Sequence, residues 1–87
     1  MFEDLLGQAV VVDMSSPFVC LGTLTRVDDH VLELRDADVH DLRDTHSSRE
    51  FYVVGAKTTG IKRNRERVFI MRREVVAVAR LQDVVVE

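Results

Sequence analysis

The stretch that decides the fold is Gly22-Thr-Leu-Thr-Arg-Val-Asp-Asp-His-Val-Leu-Glu-Leu-Arg-Asp36. It contains two segments of strand-forming residues separated by Asp28-Asp29-His30, which is a tight, acidic turn. After the turn, Leu32 and Leu34 alternate with charged residues, as in a strand with one buried face. Gly22 lies inside the first segment, where glycine commonly marks a bulge or a sharp bend. The segment therefore predicts two paired strands, the first of them bent.

A second signature occurs in Val68-Phe-Ile-Met-Arg-Arg-Glu-Val-Val-Ala77, where an apolar strand ends in arginine and another apolar strand follows at once. A short helix at residues 2–6 is closed by Gly7, a residue typical of helix ends. The predicted strands are Ala9–Val12, Phe18–Val27, Val31–Arg35, Arg67–Arg72 and Val75–Leu81. We therefore predict an all-β fold, a small barrel of five bent strands that is closed or nearly closed.

Residues 37–66 are predicted to form a partly helical insertion between the third and fourth strands, within one domain spanning residues 1–87. Residues 36–46 are polar without a clean period and predict a loop. Ser47 and Glu50 have the spacing of a capping box for a helix from Ser48 to about Thr59, which Gly60 stops. Phe51 is assigned to the core of this insertion, and residues 84–86 are a candidate final strand. We expect the insertion to be semi-independent, since it has its own cap and stop but little apolar area.

Composition excludes several classes of function. The one cysteine, Cys20, lies in an apolar run and is expected to be buried, so no intrachain disulfide can form. No Cys and His residues have zinc-ligand spacing, and the acidic segment 36–41 is interpreted as a flexible loop, so no metal or cofactor is expected. No set of residues resembles a nucleophile with its base, so we predict that the protein is not an enzyme.

The beginning of the chain is acidic and unlike a signal peptide, and no apolar run approaches the ~20 residues that span a bilayer. We therefore expect a cytoplasmic protein without a membrane segment. The net charge is −3, but residues 1–44 carry ten Asp or Glu against three Arg, whereas residues 45–87 carry nine Lys or Arg against five Asp or Glu. The main basic cluster consists of Lys57, Lys62, Arg63, Arg65, Arg67, Arg72 and Arg73.

Two interpretations of this basic cluster stay open. It could contact phosphate groups, or it could be either a simple solvated loop or a loop that pairs with the acidic half of a neighbouring copy. The second is slightly favoured, because the only rings identified near the cluster are Phe51 and Tyr52.

The hairpin and the second signature resemble the Sm/LSm family, which includes the bacterial host factor Hfq. The family's first motif, Gly-x-Leu-x-x-apolar-Asp, is similar to Gly22, Leu24, Val27 and Asp28. Its second motif, an apolar strand that ends in Ile-Arg-Gly or Tyr-Lys-His, is similar to Met71-Arg72-Arg73. The resemblance covers roughly residues 2–36 and 67–82.

The resemblance implies a head-to-tail ring that binds single-stranded RNA near its pore through the two motif turns. The RNA-binding roles would fall on Asp29, His30, Arg72 and Arg73. The sequence departs from the family at two places: Leu32 stands where Sm proteins have an asparagine, and Arg73 replaces a glycine. An Sm-like ring that keeps the barrel without binding RNA is therefore the second hypothesis.

The last two predicted strands are apolar on both faces, although a barrel needs only its inward face to be apolar. Leaving them uncovered would expose an aggregation-prone edge. We therefore predict homo-oligomerisation, with the fourth strand of one subunit paired with the fifth strand of the next. The interface residues would be Val68, Ile70, Val76 and Val78.

Overall fold

The computed structural model describes residues 2–44 and 48–86. Its main elements are β1 (Ala9–Met14), β2 (Phe18–Val27), β3 (Val31–Asp41), α1 (Arg49–Thr59), β4 (Arg65–Met71) and β5 (Val75–Arg80). Four short 3₁₀ helices flank them, at Phe2–Leu5, Leu42–Asp44, Arg72–Glu74 and Leu81–Asp83. The predicted N-terminal helix is therefore present, as a 3₁₀ helix. In the described part of the chain, no helix is long and apolar enough to cross a membrane.

The five strands form one antiparallel sheet in the order β4-β3-β2-β1-β5. This confirms the predicted five-stranded, all-β architecture. β4 and β5 do not pair with each other, so the sheet is open between them rather than closed into a continuous barrel. Each of these two strands therefore presents an unpaired backbone edge.

Gly22 lies at the predicted bend. The register between β2 and β3 shifts between Leu21 and Thr23, which is where a bulge increases the twist. A Cβ atom at Gly22 would lie 3.1 Å from the Cβ atom of Ala37 and 3.1 Å from the carbonyl oxygen of Arg35. The two strands approach so closely here that even a methyl group would push them apart by a few tenths of an ångström.

The inner face of the bent sheet holds the main core. Its buried members are Val10, Val12, Cys20, Leu24, Leu32, Leu34, Ala37 and Ile70. The predicted burial of Cys20 is confirmed, and it raises the pKa of the thiol to about 11. Leu32, which stands where Sm proteins have an asparagine, belongs to this core.

A second core lies on the opposite face of β1 and β2, where α1 covers the sheet. Val53 and Ala56, one helical turn apart, pack there with Val11, Val19 and Leu21. These central strands are therefore buried on both faces, which explains why they are nearly continuously apolar. The helix shares this second core with β1 and β2, so the prediction of a semi-independent insertion is wrong.

Polar contacts fix α1 at both ends. Near its beginning, Arg49 forms an ion pair with Asp13 on β1. Near its end, the Nζ atom of Lys57 donates to the carbonyl oxygen of Gln82 at 2.9 Å and also to that of Val84. These contacts hold the helix and the C-terminal segment against the same face of the sheet.

The helix itself has nearly the predicted bounds. The hydroxyl of Ser48 accepts a hydrogen bond from the backbone nitrogen of Phe51 at 3.1 Å, so Ser48 is the N-cap. Ser47, the predicted cap, lies outside the described residues. Gly60 ends the helix with a φ of 96°, a conformation that favours glycine.

Three predictions in this region are wrong. β3 continues to Asp41 and β4 begins at Arg65, so only residues 42–64 lie between the strands, not 37–66. Phe51 is 73% exposed, because Val53 and Ala56 occupy the helix face that meets the sheet. Residues 84–86 form no strand, although the side chain of Val84 packs against the second core.

Candidate functional site

The turn between β2 and β3 lies directly beside the turn between β4 and β5. The backbone nitrogen of Arg72 donates to the carbonyl oxygen of His30 at 2.8 Å. The Nη1 atom of Arg72 donates to the carbonyl oxygen of Asp28 at 2.7 Å. The structure therefore brings together Asp29, His30, Arg72 and Arg73 in a group that we call the turn cluster.

Asp28 gives the first turn a fixed shape. Its Oδ1 atom accepts hydrogen bonds from the backbone nitrogens of His30 at 2.8 Å and Val31 at 2.9 Å. These bonds, helped by the nearby Arg26, lower the pKa of Asp28, so the carboxylate stays charged. The side chains of Asp29 and His30 are left exposed to solvent.

Arg72 is the most constrained member of the turn cluster. Besides its bond to the first turn, its guanidinium lies over the ring of Phe2, 4.9 Å from the ring centroid. The side chain is half-buried as a result. Nothing in the sequence pattern links Phe2 to Arg72, because this contact exists only after the N-terminal 3₁₀ helix packs against the sheet.

Arg73 is exposed and fits its position without strain. Among the described residues other than glycine, only Asp36 has a positive φ, so the backbone at Arg73 does not require glycine. Glu74, the next residue, is tied to Ser15 by its carbonyl oxygen at 2.8 Å and its carboxylate at 2.9 Å. The second turn is thus anchored at its end while Arg73 faces solvent.

The charges around the turn cluster nearly cancel. Arg26 near the end of β2 and the second-turn residues Arg72 and Arg73 lie among three carboxylates of the two turns, Asp28, Asp29 and Glu74. Glu3 is close enough to Arg72 to interact with its charge. Any attraction for phosphate groups at this place is therefore local to Arg72 and Arg73 rather than a property of a strongly basic surface.

The predicted interface residues fall in different environments. Val76 is 69% exposed on the edge strand β5, whereas Val68 and Val78 are half-buried against the main core. Ile70 is only 3% exposed and belongs to the core of its own chain. Its side chain is therefore not available for a contact between copies. Other exposed apolar side chains of β4 are Phe69 and Met71.

Asp38, His40 and Tyr52 form a polar group beneath α1. The hydroxyl of Tyr52 donates to Asp38, and Asn64 Nδ2 donates to the same carboxylate at 3.0 Å. The ring of Tyr52 stacks on His40 with centroids 3.9 Å apart. Within residues 2–44 and 48–86, no three His, Cys, Asp or Glu side chains are grouped so that they could hold a metal ion. Asp38 is buried and hydrogen-bonded, so this group joins the helix to the sheet.

The sequence matches no protein-family model and no curated protein. Solved structures do match. The Sm protein of Pyrococcus abyssii, in complex with a uridine heptamer, aligns with a TM-score of 0.63 and 18% identity over 91% of this chain and 90% of that chain. The chain has the Sm fold. The fold that the resemblance to the Sm/LSm family implied is therefore confirmed.

A second match comes from a protein assembly. A chain in the structure of the NatC complex bound to CoA aligns with a TM-score of 0.61 and 20% identity, over 98% of this chain and 95% of that chain. At these identities the two matches establish the fold of this Sm-like chain and not the roles of its residues. Its turn cluster therefore has to be judged on its own geometry.

Proposed function

We propose that this Sm-like chain is a non-enzymatic, ring-forming protein that binds single-stranded RNA weakly and with little sequence selectivity. It acts as one domain of residues 1–87, without a cofactor, in the cytoplasm, and its partners are further copies of itself and RNA. The main support is the meeting of the two motif turns, which exposes Asp29, His30 and Arg73 beside Arg72.

The chemistry of the turn cluster suits this ligand. A guanidinium can contact phosphate and stack on a base, and the imidazole of His30 offers a second stacking surface. Such contacts do not read base edges, so they discriminate little between sequences. Because the surrounding charges nearly cancel, the affinity is low and depends on Arg72 and Arg73. The Sm protein that was solved with a uridine heptamer supports this choice of ligand.

The unpaired edges of β4 and β5 support assembly into a ring. Pairing β4 of one copy with β5 of the next satisfies both edges and covers the exposed Val76. The contact joins two different surfaces, so an open arc of copies keeps one free edge at each end until the ring closes.

Fluorescence anisotropy with short uridine-rich and adenine-rich RNAs, at two salt concentrations, tests the RNA binding. We expect similar weak binding of both RNAs at low salt and a loss of affinity at high salt. Arg73→Ala should weaken binding without affecting the fold, since its side chain is exposed. Arg72→Ala should weaken it further, but thermal unfolding must be measured as well, because Arg72 also holds the first turn.

Arg43→Ala is the matched control, because this exposed arginine pairs with Asp41, away from the turn cluster. Equal losses for Arg43→Ala and Arg73→Ala would contradict a site at the turns and indicate diffuse electrostatic attraction. Absence of binding at low salt would contradict RNA binding altogether.

The second candidate is a structural or scaffolding homo-oligomer that does not bind nucleic acid. It is favoured by the engagement of Arg72 with Phe2 and Asp28, and by the balanced charge of the turn cluster. The aligned chain in the NatC complex shows the same fold within a protein assembly. A stable oligomer in light scattering, combined with no RNA binding at low salt, is the result that selects this candidate.

A further inference from the structure

The outward side of β4 combines cationic and aromatic side chains. Arg65, Arg67 and Phe69 are alternate residues of one strand, so they face the same side of the sheet. All three are exposed. The guanidinium carbon of Arg67 lies over the ring of Phe69, 5.4 Å from its centroid. The basic cluster thus does contain an interleaved ring, which the sequence pattern concealed because Phe69 belongs to an apolar run.

A third arginine on the neighbouring strand extends this surface. In the register of β3 and β4, Arg35 lies opposite Arg67, and Glu33 lies opposite Phe69. Like charges directly opposite each other on one face are unfavourable. A nearby negative charge is therefore needed to offset the repulsion between the guanidinium groups of Arg35 and Arg67.

Glu33 supplies that counter-charge. Its carboxylate accepts a hydrogen bond from the hydroxyl of Thr25 at 2.7 Å and lies 3.6 Å from Nε of Arg35 and 4.0 Å from Nη1 of Arg67. The bond from Thr25 and the two arginines lower the pKa of Glu33, so it is charged at neutral pH. One buried carboxylate thus orients two guanidinium groups toward solvent.

The surface keeps a positive excess. Arg65 donates to the carbonyl oxygen of Asn64 at 2.9 Å, and no carboxylate of residues 2–44 or 48–86 is within ion-pair distance of it. Three guanidinium groups therefore face one carboxylate. α1 packs on β1, β2 and the later part of β3, so it leaves this surface uncovered.

We propose that Arg35, Arg65, Arg67 and Phe69 form a second site for single-stranded nucleic acid, separate from the turn cluster. We call this surface the arginine face. This proposal takes only the class of ligand, a single-stranded nucleic acid, from the proposed function. The site itself is independent, because the arginine face shares no residue with the turn cluster.

Charge and shape favour a nucleic acid strand as the ligand. The cations are all arginines, whose planar groups bind phosphate and also stack, and the one apolar member is a flat ring beside a guanidinium. Alternate side chains on a strand are about 6.8 Å apart, which is about twice the 3.4 Å spacing of stacked nucleotides along one strand. Binding of this kind uses phosphates and base faces, so DNA and RNA should bind alike.

Anisotropy titrations of the full chain with oligo-uridine and oligo-thymidine, over a series of salt concentrations, test the proposal. Arg65→Gln/Arg67→Gln should weaken binding of both probes by at least about tenfold at low salt. It should also reduce the slope of log affinity against log salt by about 1.4, because two phosphate contacts are lost at ~0.7 each. Arg65→Gln alone should give half of this change in slope without altering the contacts of Glu33.

Phe69→Leu should weaken binding about 5- to 150-fold while the salt slope stays unchanged, because stacking carries no charge. The control Arg43→Gln/Arg80→Gln removes the same charge from two exposed ion pairs, Arg43 with Asp41 and Arg80 with Asp83, and should leave affinity nearly unchanged.

The outcomes separate this proposal from the proposed function. Loss of binding in Arg73→Ala but not in the arginine-face variants would overturn the second site and leave the turn cluster standing. The reverse result would support the arginine face and contradict a site at the turns. Equal weakening by the control double variant, or binding of neither probe at low salt, would also overturn the arginine face. A change in oligomer size with the arginine-face variants and no change in probe binding would identify an acidic protein surface as the ligand instead.

Discussion

Replacing Gly22 with alanine introduces a methyl group where β2 and β3 approach each other closely. The new Cβ atom would lie 3.1 Å from the carbonyl oxygen of Arg35, a backbone atom that cannot move without distorting β3. We expect Gly22→Ala to lower the free energy of unfolding by about 1–3 kcal/mol, measured by urea denaturation. Gly55→Ala, in α1, is the control, because nothing lies within 4 Å of its Cβ position. It should not destabilise the fold, since alanine is more favourable than glycine in a helix by about 1 kcal/mol. Equal destabilisation by the two variants would contradict the steric argument.

Asp41 gives a prediction for acid stability. Hydrogen bonds from the side chain and backbone of Arg43 lower the pKa of Asp41 to about 2. A carboxylate whose pKa is lower in the folded than in the unfolded chain stabilises the fold above its unfolded value, about 4. That contribution is lost as the pH falls from about 4 toward 2. Asp41→Asn should therefore reduce the pH dependence of the unfolding free energy in this interval.

Arg43→Gln should have a similar but smaller effect, because it removes the hydrogen bonds from the guanidinium to Asp41 and keeps the hydrogen bond from the backbone nitrogen of residue 43. Unchanged slopes of unfolding free energy against pH in both variants would show that this ion pair does not contribute.

At the scale of elements, α1 should behave as a layer of the core. Val53→Ala removes two buried methyl groups from the contact with β1 and β2, which should cost about 2 kcal/mol of unfolding free energy. Phe51→Ala, on the exposed side of the same helix, should change it by less than about 0.5 kcal/mol. Chemical denaturation of both variants measures the difference. A larger loss of unfolding free energy for Phe51→Ala than for Val53→Ala would show that the helix packs on the sheet through its other face.

The strands illustrate what sequence patterns can and cannot predict. The bend at Gly22, the turn at Asp28 and the helix bounds follow from local chemistry, and the structure confirms them. The later part of β3 was missed because Asp36 adopts a left-handed conformation that interrupts the alternation. In addition, Asp38 faces outward and is covered by Tyr52, which hydrogen-bonds to it. A charged residue buried in this way gives no apolar signal in the sequence.

The candidate site was predictable to a similar degree. Paired motif turns follow from the hairpin pattern and the family resemblance, and the structure brings these turns together. The contact of Arg72 with Phe2 joins distant segments and has no local signal. The arginine face was missed because Phe69 fits an apolar strand pattern, and only the register with β3 shows that it faces outward.

At the scale of the whole molecule, the open sheet predicts self-association. Val76 lies on edge strand β5, at a register shift opposite Asp13 and Met14, and is 69% exposed. Light scattering should detect an oligomer for the wild-type chain and a monomer for Val76→Lys, because pairing of β5 with the next copy would bury the new charge. Val85→Lys is the control, since Val85 is 74% exposed but lies outside the strands. A wild-type chain that remains a stable, well-folded monomer at micromolar concentration would contradict the ring.

The two unlike edges also give the molecule a direction, in the sense in which a polymer has a head and a tail. A copy with Val76→Lys keeps a normal β4 edge and loses only its β5 edge, so it can add to one end of a growing arc and not to the other. Such a copy is a chain terminator. Mixed with wild-type protein at a small molar fraction, it should trap short open arcs in native mass spectrometry, with the wild-type copies outnumbering the single terminal variant in each.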